Sequence, residues 1–126
     1  MIKEVLGPQD WNFINNLLKN NKITVIDNFF TQEILSILKI RALYAKHCDN
    51  HYGIDRYYSI NYSPNQDHIT TLIAKELKKK VSKLPEFRRG WSFVYNNESK
   101  GVELHADPSE FNINIWVSGD ESVKNK

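Results

Sequence analysis

The sequence predicts an α+β protein, with N-terminal helices packed on an antiparallel sheet. Two observations carry this. Apolar residues recur at helical spacing in three separate windows before Pro85, and period-two alternation takes over after Gly90. A third concerns size: 126 residues, 40% hydrophobic and 25% charged, describe one globular domain with a modest core. The expected organisation is a single domain over 1–126, with a helical arm at 1–22 and a fraying tail at 119–126.

Asp10 precedes Trp11, Ile14, Leu17 and Leu18, a spacing that makes a short amphipathic helix with Asp10 as N-cap. Ile23-Thr-Val-Ile-Asp-Asn-Phe-Phe30 is β-branched and aromatic and reads as a strand. Thr31 then caps a second helix, in which Ile34, Leu35, Leu38, Ala42 and Ala45 form one stripe. Asn50 and Gly53 break it, and Arg56-Tyr-Tyr-Ser-Ile-Asn-Tyr62 alternates as a strand up to the turn Ser63-Pro-Asn-Gln66. Ile69, Leu72, Ile73, Leu77, Lys80, Val81 and Leu84 keep a 3.6-residue rhythm, which predicts a third helix running until Pro85 stops it.

Three strands are predicted to close the sequence. The first, residues 90–95, carries Trp91, Phe93 and Tyr95 on one face. A polar hairpin loop, Asn96-Asn-Glu-Ser-Lys-Gly101, leads to residues 101–107, where Val102 and Leu104 alternate with Glu103, His105 and Asp107. Residues 111–118 set Phe111, Ile113, Ile115 and Val117 opposite Asn112, Asn114 and Trp116.

Charge excludes little. The net charge of +2 is spread along the chain apart from Lys78-Lys79-Lys80 and Arg88-Arg89, and a lysine run on a helix reads as a solvated face, so no nucleic-acid partner is argued. A single cysteine, Cys48, forbids an intramolecular disulfide and fits a reducing compartment. The first eight residues lack the apolar core of a signal peptide and no stretch is long enough to span a bilayer, so a cytoplasmic protein without a membrane partner is expected.

The chemistry-bearing pair is His105 and Asp107. Residues two apart on an extended strand emerge on the same side, where an imidazole and a carboxylate can share one metal ion. They would supply two of the three donors in a 2-His-1-carboxylate site, which holds Fe(II) on one face and leaves the other open. The residues alone favour a solvent-facing strand end in which both side chains are hydrogen-bonded. A second His-x-Asp, His47-Cys48-Asp49, falls near a helix end, where positions two apart point about 200° from each other. If that helix frayed early, His47, Cys48, Asp49 and His51 could gather around zinc, although no Cys-x-x-Cys spacing supports it.

Several segments in order carry a resemblance: Val25-Ile-Asp-Asn-Phe-Phe-Thr-Gln-Glu33, Leu84-Pro85, Trp91-Ser-Phe-Val-Tyr95, Gly101-Val-Glu-Leu-His-Ala-Asp107 and Phe111-Asn-Ile-Asn-Ile-Trp-Val117. Together they resemble the N-terminal half of an Fe(II)- and 2-oxoglutarate-dependent oxygenase of the broad prolyl-hydroxylase-like kind. The resemblance implies a partial double-stranded β-helix, a jelly-roll variant with metal held at its mouth, lacking its C-terminal strands. It implies that His105 and Asp107 are iron ligands, and that Tyr95, Asn114 and Trp116 line the 2-oxoglutarate pocket. The implied activity is that of a hydroxylase-type dioxygenase with Fe(II) and 2-oxoglutarate as cofactors, and its substrate, a small molecule or a peptide, is not specified.

The family's distal His and its Arg or Lys for the far carboxylate of 2-oxoglutarate lie on later strands, and no position here matches them. His47, His51 and His68 are all upstream. The expectation is therefore an incomplete or truncated member, a split enzyme completed by a homodimer or a complementing chain, or a decayed relative kept for binding. The competing class is a non-catalytic α+β interaction module that uses the aromatic surface around Tyr57, Tyr58, Tyr62 and Trp91.

Overall fold

The computed structural model describes residues 2–20, 22–44, 50–52, 57–62, 67–95 and 104–119, with side chains for all of these except 44, 50–52 and 57–62. Helices and strands both occur, so the mixed α/β content expected from the sequence is present. The order is α1 (Trp11–Lys19), α2 (Gln32–Tyr44), β1 (Asn50–Tyr52), β2 (Tyr57–Tyr62), α3 (His68–Lys80) and β3 (Gly90–Tyr95). The chain divides into two compact units, residues 1–34 with 62–90 and residues 35–61 with 91–126.

In the first unit the first helix begins at Asp10, as its sequence designates, and the third at Asp67, a cap the sequence reading did not single out. The Asp10 carboxylate accepts from the Phe13 N–H at 3.0 Å, and the Asp67 carboxylate accepts from the Thr70 N–H at 2.7 Å, so each satisfies a donor that the first turn leaves over. The Thr31 hydroxyl stands 3.5 Å from the Ile34 N–H at the head of α2. That hydroxyl also donates to the Glu4 carbonyl at 2.9 Å, which ties the helix start to the N-terminal segment.

That segment is clasped against residues 27–31. The Gly7 N–H donates to the Phe29 carbonyl at 2.9 Å, the Thr31 N–H donates to the Val5 carbonyl at 3.0 Å, and Leu6 and Phe30 form an antiparallel bridge. The Gln9 amide donates to the carbonyls of Asp27 and Asn28, both at 3.0 Å, where Asn28 takes a positive φ of 52°. Gly7 is required by close approach: a Cβ there would sit 2.4 Å from the Asn28 carbonyl oxygen.

The core forms among Val5, Ile14, Phe30, Ile34, Ile73, Leu77 and Val81, with Ile34 fully enclosed. Phe29 meets Trp11 and Phe30 edge-on, at centroid distances of 6.1 and 4.8 Å. Helical periodicity thus delivered buried positions at Ile14 on α1, Ile34 on α2, and Ile73 and Leu77 on α3. On α2, Ile34 is buried and Leu35, Leu38 and Ala42 are half-buried, while Ile40 and Leu43 are exposed. Ala45, the last residue of the predicted stripe, lies outside the described residues.

α3 ends at Lys80, short of the Pro85 stop that the sequence predicts. The reason is a side chain from another helix. The Asn15 amide donates to the Lys80 carbonyl at 2.8 Å, and its oxygen accepts from the Ser82 N–H at 2.8 Å and the Ser82 hydroxyl at 3.1 Å. Those bonds replace the next helical rung, and Lys83 then turns the chain with φ 65°.

In the second unit the strand order is β1-β2-β3, and β1 runs antiparallel to β2 with Asn50 opposite Ser59, His51 opposite Tyr58 and Tyr52 opposite Tyr57. β3 has the bounds the sequence predicts, and Phe93 and Tyr95 share a face with ring centroids 6.0 Å apart.

Three strand expectations fail among the described residues. Residues 23–30 form no strand beyond the single bridge at Phe30, and Ile23 and Val25 stand almost fully in solvent. Residues 104–107 and 111–118 likewise form no ladder. Alternating side chains provide a face, but a strand's hydrogen bonds belong to a partner: residues 23–30 meet the N-terminal segment only around Phe29 and Phe30, and among the described residues no ladder forms at 104–107 or 111–118. Residues 101–103 of the predicted strand, the hairpin loop at 96–100 and the tail from 120 lie outside the described residues. Among the described residues no helix is long and apolar enough to cross a membrane.

Candidate metal centre

Pro108 shapes the site from the backbone outward. Proline lacks an N–H and biases the residue before it away from helical geometry, and Asp107 enters no helix. Directly beyond it the Ser109 N–H donates to the Asp107 carbonyl at 2.9 Å, closing a tight turn, and the Ser109 hydroxyl donates to the Asn112 side-chain oxygen. Sequence reasoning overlooked this turn, although Asp-Pro-Ser is the composition in which such turns form.

The two predicted donors meet. Nε2 of His105 lies 3.4 Å from Oδ1 of Asp107, so both side chains leave the chain on one side, as alternation requires. Two donors bound to one ion at about 2.1 Å, subtending about 90–109°, stand about 3.0–3.4 Å apart. The observed separation therefore suits neighbouring positions on a divalent cation. It equally suits a direct ion pair between imidazolium and carboxylate. His105 is 56% exposed and Asp107 27%, and an exposed pair of this kind stabilises a fold by only about 0–1 kcal/mol.

The surroundings are more open than the resemblance implies. Leu104, next to His105 in the chain, is wholly exposed, so nothing among the described residues covers it. Among the described residues no group of three or more His, Cys, Asp or Glu is placed to hold a metal ion. Tyr95 is half-exposed beside Phe93 at the end of β3, whereas Asn114 and Trp116 lie in solvent, Trp116 at 80% exposure. Among the described residues nothing encloses the last two. Of the five residues singled out from the sequence, the structure thus joins His105 to Asp107 and leaves Asn114 and Trp116 on an open segment.

The alternative zinc cluster at His47, Cys48 and Asp49, and the side chain of His51, lie outside the described residues. So do the side chains of Tyr57, Tyr58 and Tyr62, while Trp91 is half-buried on β3. No protein-family model, curated protein or solved structure matches this chain.

Proposed function

We propose that the chain is the donor-bearing part of an Fe(II)- and 2-oxoglutarate-dependent dioxygenase of hydroxylase type, with His105 and Asp107 as two of its iron ligands. The observation that carries the reading is the 3.4 Å approach of Nε2 to Oδ1 across one intervening residue, at a separation that suits adjacent coordination positions.

In this reading His105 supplies a nitrogen donor and Asp107 an oxygen donor, and the Ser109 N–H on the Asp107 backbone carbonyl closes the turn that follows the pair. Bound iron with 2-oxoglutarate would supply oxidative decarboxylation coupled to substrate oxidation. Tyr95, Asn114 and Trp116 would contact the cosubstrate once a covering layer encloses them, the phenol and amide donating to a carboxylate oxygen. The jelly roll belongs to the same proposal. It needs strands paired to residues 104–107 and 111–118 and at least one further ligand, contributed by residues other than those described, by a complementing chain or by a homodimer. A cytoplasmic setting suits the ferrous state and the single cysteine.

The test is metal affinity. Mn(II), a spectroscopic substitute for Fe(II), is titrated into wild type, His105→Ala and Asp107→Ala and followed by the loss of its free-ion paramagnetic resonance signal. Each variant is expected to weaken binding at least about tenfold. Equal affinity in all three proteins would remove the metal reading and leave the exposed ion pair in its place.

A further inference from the structure

We propose that the exposed side of α3 and the segment 85–89 beside it form one basic surface that binds the phosphate backbone of double-stranded DNA without regard to base sequence. Its residues belong to the unit of residues 1–34 and 62–90, and the metal reading is not a premise of it.

The two basic clusters, Lys78-Lys79-Lys80 and Arg88-Arg89, are separate in the sequence, and the fold joins them. The Glu86 carboxylate pairs with the Lys78 ammonium, and Gly90 stands against α3 at Thr70, whose methyl carbon would lie 3.7 Å from a Cβ on that glycine. Residues 86–90 therefore run back along the helix from the level of Lys78 to that of Thr70, which sets Arg88 beside the turn that carries Lys75. All seven basic side chains between residues 75 and 89 are exposed.

Residues 75–89 hold those seven basic residues and two acidic ones, a net charge of +5, whereas the whole chain carries +2 and the remainder is therefore net −3. Both carboxylates are engaged already, Glu76 with Lys79 at 2.6 Å and Glu86 with Lys78. Among the described residues no carboxylate pairs with Lys75, Lys80, Lys83 or Arg88. Cations concentrated on one side of an otherwise acidic molecule are the electrostatic footprint of a polyanion partner.

The kind of polyanion follows from the other side chains of this segment. Leu77 and Val81 are buried, and Leu84 and Phe87 half-buried, so no leucine or valine stands out for insertion among lipids and no open ring offers a platform for an unpaired base. A duplex backbone needs neither, since Lys and Arg contacts to phosphate supply non-specific binding by themselves. Lys78 and Lys79 diverge by about 100° around α3 with Lys75 between them, so the two walls of a groove reach both flanks, whereas a flat bilayer meets only the crest. The major groove of B-DNA, about 12 Å wide, admits a helix, and the narrow major groove of duplex RNA does not.

Fluorescence anisotropy of a labelled DNA duplex of about 20 base pairs, titrated with the full chain, reads the binding. The expected Kd is about 1–100 µM near physiological salt, with log affinity falling against log salt at a slope of about −3 to −4, as about four phosphate contacts require. K75E/R88E is expected to weaken binding at least about tenfold, and R88E alone to make the slope shallower by about one. K3E/K39E makes the same change in net charge at exposed positions outside the surface and should stay within about threefold of wild type. All four positions are exposed, so helical circular dichroism should be unchanged; K75Q/R88Q, which removes the two charges without reversing them, keeps the test open should the reversed variant misfold. It is expected to weaken binding at least about threefold. No binding at low salt with protein at about 500 µM, an equal loss in K3E/K39E, or an unaltered R88E would overturn the proposal. Tighter binding to phosphatidylserine vesicles, to duplex RNA or to polyglutamate than to the DNA duplex would assign the surface to that anion and overturn it as well.

Discussion

All seven apolar side chains buried among the described residues belong to the unit formed by residues 1–34 and 62–90; none belongs to the unit of residues 35–61 and 91–126. Both units contain apolar sequence. Ile113 and Ile115 are no less hydrophobic than Ile34 and Ile73, yet the first pair is exposed and the second buried. What separates them is where backbone hydrogen bonds go. In the first unit α1 and α3 satisfy their own backbones, and their apolar faces are then free to meet. In the second, residues 104–119 hold strand-like sequence whose bonds need a partner, and burial waits on pairing. A segment can be well designed for a core and still lie in solvent.

The largest expected effect tests this contrast head on. Ile34→Ala removes a fully enclosed side chain and should cost about 2–5 kcal/mol in urea unfolding followed by circular dichroism, while Ile113→Ala in dilute protein should stay within about 0.5 kcal/mol. Similar losses at both positions would break the comparison.

A smaller effect is expected where the N-terminal clasp is tightest. Gly7→Ala drives a Cβ against the Asn28 carbonyl oxygen, which is backbone and cannot rotate away, so the two segments must part. Overpacking of this kind costs about 1–3 kcal/mol and should lower the thermal midpoint accordingly. A variant as stable as wild type would show that the clasp is not needed to hold residues 2–9.

The smallest concerns the polar link between α1 and α3. Asn15→Ala leaves the Lys80 carbonyl and the Ser82 N–H to water, at a cost of about 1 kcal/mol for an exposed cap. Amide exchange at Ser82 is expected to accelerate as well, because its acceptor is gone. Unchanged exchange would mean that α3 ends where it does for a reason internal to the helix.

The helices were the legible part of the fold. Asp10, read from the sequence as a cap, acts through the three residues that follow it, and a cap of that kind involves no distant group; Asp67 acts in the same way but was not singled out from the sequence. The stripes of Ile14, Ile34, Ile73 and Leu77 were readable for the same reason, since their periodicity is a property of one element. The premature end of α3 was not, because the Asn15 side chain that caps it lies 65 residues away in sequence. At the candidate metal centre, alternation placed His105 and Asp107 on one side of the chain, and the structure brings them within 3.4 Å. Their shelter was not readable, since enclosure depends on whatever packs over Leu104, Asn114 and Trp116.

The sequence by itself determined the local features: three helices, the caps at Asp10 and Thr31, the bounds of β3, and the convergence of one imidazole with one carboxylate. Only the tertiary structure decided which apolar segments are buried, that residues 23–30 make one bridge in place of a strand, and that residues 111–117 lie open. The physical reason is the range of the interactions. A helical turn or a cap closes over three or four residues, whereas a sheet rung or a packed layer needs groups that the local sequence does not contain.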